Sequence, residues 1–152
     1  MRDFDPAAYQ SVKNLFETAR KIRLSLPSLI NQIADTVDML GTARLDGMPK
    51  GSSSGNPMEE RYLKRIETVR KMEDKRDGFR SVLDDCERII SNMELHNDCY
   101  ASDAAFLRSY YLCGKSEPKA AKDAFISASY AHEKKEVALV HASHAARRLG
   151  IF

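Results

Sequence analysis

Residues 57–95 read PMEERYLKRIETVRKMEDKRDGFRSVLDDCERIISNMEL. Apolar side chains recur every three or four positions: Met58, Tyr62, Ile66, Val69 and Met72, then Phe79, Val82, Cys86, Ile89 and Met93. That period is the narrow stripe of a helix packed along one side. Pro57 suits a first helical turn, Asn56 a cap, and Glu59 and Glu60 the positive end of the helix dipole. Between the two sets lies EDKRD, residues 73–77, where the stripe thins before Gly78. At 1.5 Å per residue such a helix runs roughly 55 Å, longer than a small globule needs. A thin stripe of that length requires a partner helix.

The preceding segment supplies one. Ile22, Leu26, Leu29, Ile33, Val37 and Leu40 repeat at the same spacing within a helix over about 7–40. Pro27 lies in its middle, where it removes a donor and clashes with the turn before it. The expectation is two roughly collinear segments, 7–25 and 27–40, with Ser25 capping the restart. Residues 41–57, GTARLDGMPKGSSSGNP, hold four of the seven Gly and two of the five Pro, and read as a flexible loop or connector. Residues 1–95 are thus expected to form a helical hairpin, able to pair with a second copy.

After LHNDCYAS three shorter helices are expected. The first covers about 103–113, with Phe106, Leu107, Tyr110 and Tyr111 apolar and Gly114 closing it. The second covers about 118–127, with Ala121, Ala124, Phe125 and Ala128 on one side. The third covers about 131–149, with Val137, Val140, Ala145 and Leu149 facing inward. A tight turn before the longest is the outline of a helix-turn-helix. The fold class is therefore all-α: a long antiparallel, coiled-coil-like hairpin over 1–95, then a small three-helix helix-turn-helix domain over 100–152.

Composition agrees. The chain has 152 residues, 43% apolar and 30% charged, which excludes a disordered tail. It has no Trp, and too few Gly and Pro for a turn-rich β fold. No apolar run is long enough to span a membrane, and MRDFDPAAYQ lacks the apolar core of a secretory signal. Three Cys with no close pair point to a reducing compartment. The net charge of +2 excludes little by itself. Residues 115–152, however, carry seven Lys/Arg against four Asp/Glu, and three of the four His.

No hydrolase elbow, phosphate-binding loop, dinucleotide fingerprint or HExxH is present, so no enzymatic activity and no cofactor are expected. His96 with Cys99, and His141 with His144, have the spacing of paired ligands, but neither set offers the four convergent donors of a zinc site. Cys86 lies on the stripe and reads as a small core residue.

The basic C-terminal segment is the candidate site. In a helix-turn-helix the start of the last helix enters the major groove. His132, Lys134 and Lys135 would then reach phosphates or base edges of double-stranded DNA, and Lys119 and Lys122, with Lys115, would clamp the backbone. Arg147 and Arg148 would do the same or complement the helix dipole. Glu133 and Glu136 place repelling charge nearby. If the lysines share a solvent face, DNA gains; if the glutamates hold it, a protein-interaction adaptor gains. A small-terminase-like packaging accessory is a further alternative.

The order of helices, the loop LDGMPKGSSSG at 45–55, the helix end Leu107, Tyr110, Tyr111, Leu112 and Gly114, and the set Tyr130, Val137, Val140, His141, Ala145, Ala146 and Leu149 together resemble something more specific. The chain resembles the ArpU/RinA-type phage late transcriptional regulators, whose C-terminal part is similar to sigma-factor region 4. Ser116, Glu117 and Pro118 stand where those proteins tend to carry W-x-x-I-A, and Ala131 where they tend to carry serine. The resemblance implies a cytoplasmic bacterial or prophage protein that regulates transcription by binding DNA. It also implies a hairpin used for self-association or for contact with RNA polymerase or another transcription protein.

Overall fold

The computed structural model describes residues 4–45, 57–96 and 101–152, with the side chains of 40–45 left aside. The Gly/Ser-rich stretch 46–56, Asn56 included, lies outside the described residues, as does Cys99. The structure is all-α, with two long helices packed antiparallel and three shorter ones packed together after them.

Helix α1 spans Pro6–Leu45. Asp5 caps it: its Oδ1 accepts from the backbone N–H groups of Ala7 and Ala8, at 3.0 and 3.2 Å. Pro6 then sits where a missing donor costs nothing. Pro27 neither ends nor restarts the helix, contrary to the two-segment expectation. The reason is its side. Pro27 is exposed, so the carbonyl four residues earlier that loses its donor can turn to water. Helix α2 spans Pro57–Leu95, as the stripe predicted.

Contacts group the chain into two compact units. One joins Met1–Leu24 to Arg80–Phe152, and the other is Ser25–Phe79. The second unit is a lean helical pair: Leu26, Leu29, Ile33 and Val69 are buried, while Ile30, Val37, Met58 and Leu63 stay exposed. Val37, expected on the inner stripe, is 45% exposed.

In the first unit the C-terminal helices share one core with the ends of the hairpin. Val12, Phe16 and Ala19 meet Cys86, Ile89, Ile90 and Met93, and the same cluster takes in Leu107, Tyr111, Leu139 and Ala142. Phe16 and Tyr111 meet edge to face at 5.4 Å. Cys86 is fully buried, as expected, and burial first of all pushes its thiol up to about 12.

Helix α3 spans Ala101–Leu107 and runs into a π-helical turn, Arg108–Leu112. Arg20 of α1 braces this turn and the residues that follow it. Its Nη1 donates to the carbonyls of Tyr110 and Lys115, at 2.5 and 2.8 Å, and its guanidinium lies 4.1 Å from the Tyr110 ring centroid. Arg108 reaches the other way, pairing with both Glu87 and Glu94 on α2. Gly114 follows the turn at φ +71°, and a Cβ there would lie 3.1 Å from Leu24 Cδ2. Leu24 is exposed and can swing aside, so conformation rather than collision dominates. Gly114→Ala is therefore expected to cost about 1–2 kcal/mol in urea unfolding; a loss within the scatter of surface substitutions would contradict the left-handed turn.

Helix α4 is Glu117–Asp123, followed by a single 3₁₀ turn, Ala128–Tyr130, and then α5, Ala131–Leu149. The start and end of α5 match the sequence reading. Helix α4 stops four residues early, because Phe125 adopts φ +60°.

Candidate functional site

The candidate site is the surface presented by α4, the 3₁₀ turn and α5. Helix α5 packs through small residues: Ala131, Ala138, Ala142, Ala145 and Ala146 are buried with Leu139 and Ser143. Alanine lets the helix approach its neighbours closely, and that approach sets its rotation. Val137, expected inside, is turned outward at 42% exposure, while Val140 and Leu149 are only half-buried.

The same rotation carries Lys134 inward. It is 7% exposed, and its Nζ lies 2.5 Å from Oδ1 of Asp103, which is fully buried. His141, about two turns further along the same helix side, places Nδ1 3.0 Å from Oδ2 of Asp103. Asp103 thus ties the first turn of α3 to α5 through two side chains. Burying charge is tolerated only with such pairing.

The other predicted residues divide. Lys135 donates to Glu117 Oε1 at 2.7 Å, with its Nζ 5.2 Å from the Tyr110 ring centroid. That bond, first of all, holds the Glu117 carboxyl below its ordinary range. His132 is exposed, with Nε2 3.6 Å from Glu136. Arg148 donates to Asn92 on α2, and Arg147 lies 4.0 Å from Asp5. Lys119 and Lys122 are exposed on α4, while Lys115 is bonded to Asp123 at 2.6 Å. Glu133 and Glu136 face solvent.

The predicted set is therefore not brought together. Lys134 is withdrawn into the fold and Lys135 and Arg148 are engaged by other elements. His132, Lys119 and Lys122 remain exposed, as do Glu133 and Glu136. A cleft of about 260 Å³ between α1, the π-helical turn and α5 is lined by Arg20, Tyr110 and Lys135 among others. Of its three cations, Arg20 is engaged by carbonyls and Lys135 by Glu117, and Lys21 lines the cleft together with Glu17.

Among the described residues no group of three His, Cys, Asp or Glu is placed to hold a metal ion, and no helix is long and apolar enough to cross a membrane. Sequence reasoning missed Asp103 and misplaced Phe125. Asp103 lies thirty-one residues before its lysine, at what looks like an ordinary helix start. No protein-family model matches the chain, and neither does a curated protein or a solved structure.

Proposed function

We propose that this chain is a helical protein-interaction module: its hairpin pairs with a second copy, and its C-terminal helices serve a protein partner. The observation that carries this reading is the seat of Lys134 beside buried Asp103. A helix that reads DNA must offer its first turns outward with positive potential. Here Lys134 is sequestered and Lys135 is engaged by Glu117, and Glu133, Glu136 and Val137 take outward positions beside His132. Phosphate would meet carboxylates there.

The hairpin supports the first half of the reading. Ile30 and Val37 flank buried Ile33 on α1, and Met58 and Leu63 are exposed on α2. Two helices alone cannot cover such residues, whereas two copies forming a four-helix arrangement do. The rival, a DNA-binding transcriptional regulator, draws its support from exposed Lys119, Lys122 and His132.

Light scattering together with duplex titration tests the two. The expected mass is about twice that of one chain, and the double variant I30E/V37E is expected to be monomeric with its helicity intact. Fluorescence anisotropy on a random duplex at low salt is expected to show no binding. Duplex affinity that falls with rising salt, and that is lost in K119E/K122E, would return the regulator reading.

A further inference from the structure

The end of α4 carries a residue that its own backbone disfavours. Ala124 is the last half-helical residue. Phe125 N–H then donates to the Lys122 carbonyl at 3.1 Å, and Ile126 N–H to the Ala121 carbonyl at 2.9 Å. This pair of bonds is the Schellman closure, whose left-handed residue is usually glycine. The chain uses the same closure at the end of α5, where Gly150 N–H reaches Arg147 and Ile151 N–H reaches Ala146, with Gly150 at φ +71°. Among the described residues Gly114 is the other left-handed glycine. Only at Phe125, among the described residues, does a side chain occupy this conformation, and its Cβ crowds the following carbonyl.

The two closing bonds and the inward Ile126 hold the turn, and the ring itself adds nothing to them. The Phe125 side chain is 96% exposed. The turn itself is well seated: Ile126 points inward and packs with Ala120, Ala121 and Ala124 beside Phe106. An inward Ile126 and a fixed backbone hold the ring outward with only two side-chain torsions left to order. That is the arrangement of a preorganised aromatic anchor. Strain retained at an exposed position points to an external contact.

The surroundings give the partner's chemistry. Lys119 and Lys122 precede the ring at successive three-residue spacings, along one side of α4. The acids close in sequence are engaged elsewhere, Asp123 by Lys115 and Ser109, and Glu117 by Lys135. The result is an exposed ring just past a short helix that carries two exposed lysines. We propose that Phe125 anchors an interaction surface for an acidic protein segment bearing an apolar residue, with Lys119 and Lys122 as its basic rim. A single-stranded nucleic acid needs a longer track of cations to follow its backbone. A membrane surface needs a longer amphipathic helix than the seven residues of α4. This assignment rests on the reading of the chain as a protein-binding module and names the partner of its C-terminal surface.

The test uses the full chain and a labelled random copolymer of glutamate and tyrosine, with an oligothymidylate and phosphatidylserine vesicles as the other arms. The wild type is expected to bind the copolymer, and F125A and K119E/K122E are each expected to weaken it at least about tenfold, the size of a modest hot spot. F125G is expected to lose binding equally while melting about 2–4 °C higher, because glycine relieves the backbone. F125W is expected to retain binding. No copolymer binding by the wild type, equal binding by F125A, or ring-dependent binding to the oligothymidylate or vesicles instead would overturn the proposal. So would a lower melting temperature for F125G, which would remove the strain on which it stands. Self-association through the hairpin is expected to be unchanged in all four variants. Its absence in the wild type counts against the module reading, whereas loss of ring dependence counts against this assignment alone.

Discussion

Asp103→Ala is expected to lower folding stability by about 3–5 kcal/mol, one of the two largest effects of any single substitution considered for this chain. The carboxylate is fully buried, with the Lys134 ammonium 2.5 Å from one oxygen and the His141 ring 3.0 Å from the other. Removing it leaves an ammonium group inside the fold with its principal anionic neighbour gone. Attraction between the two charges only offsets the cost of taking both out of water, so the loss comes from the charge left behind. The double variant D103L/K134M removes both charges and is expected to unfold close to the wild-type urea midpoint. Midpoints at unchanged slope measure both. The competing outcome is instructive. Lysine has a long flexible stem and can carry its head to water. If Asp103→Ala costs under about 1 kcal/mol, Lys134 has swung outward, and the barrier to presenting it to a phosphate is lower than the proposed function requires.

Phe16→Ala is expected to cost a comparable amount, about 3–5 kcal/mol, the usual range for truncating a fully buried phenylalanine. Phe16 comes from α1, yet its ring packs in one cluster with Ile89 and Met93 of α2, Tyr111 of the π-helical turn, and Ala138 and Ala142 of α5. The cavity would open where all these elements meet. The tyrosine fluorescence and the helical circular dichroism of this unit are expected to lose stability together, since Tyr111 shares the core with the helices it reports on. A small effect on the C-terminal signal, with the hairpin ends alone weakened, would mean that the second cluster of Phe106, Ala120, Ala121, Ala124 and Ala131 suffices to hold α3 to α5. Leu63→Ala is the control: an exposed residue of the hairpin, expected to shift stability of the isolated chain by no more than about 0.5 kcal/mol.

The elements legible from the sequence were those whose signals are local. Helix α2 begins at Pro57 and runs to Leu95 because a proline start and a long three-and-four stripe depend only on neighbours in the chain. Helix α5 ends at Leu149 because Gly150 takes the left-handed closure without penalty. Pro27 misled the reading for a definite reason. The cost of a proline inside a helix depends on whether the lost bond faces water or core. Pro27 lies off the stripe of Ile22, Leu26, Leu29 and Ile33, so the pattern already placed it toward water, but the general rule for interior prolines outweighed that signal.

The candidate site was less legible. HEKKEV at 132–137 reads as a solvated, lysine-bearing turn, and only Asp103, brought in from another helix, makes a buried position tolerable for Lys134. The inner face of α5 is built of alanines, which carry too little hydrophobic contrast to outweigh Val137 in a periodicity reading. Phe125 was assigned to an inner stripe because a large aromatic residue next to Ala124 normally belongs there. By itself, then, the order of residues determined the helical class, the two long partners and the outline of the three short helices, since spacing and caps act over one or two turns. Which face of the last helix meets solvent, which lysine is withdrawn, and which phenylalanine is left outside were decided only by tertiary structure. Those outcomes depend on how closely helices approach and on charges paired across the fold, and neither quantity is written in any single segment.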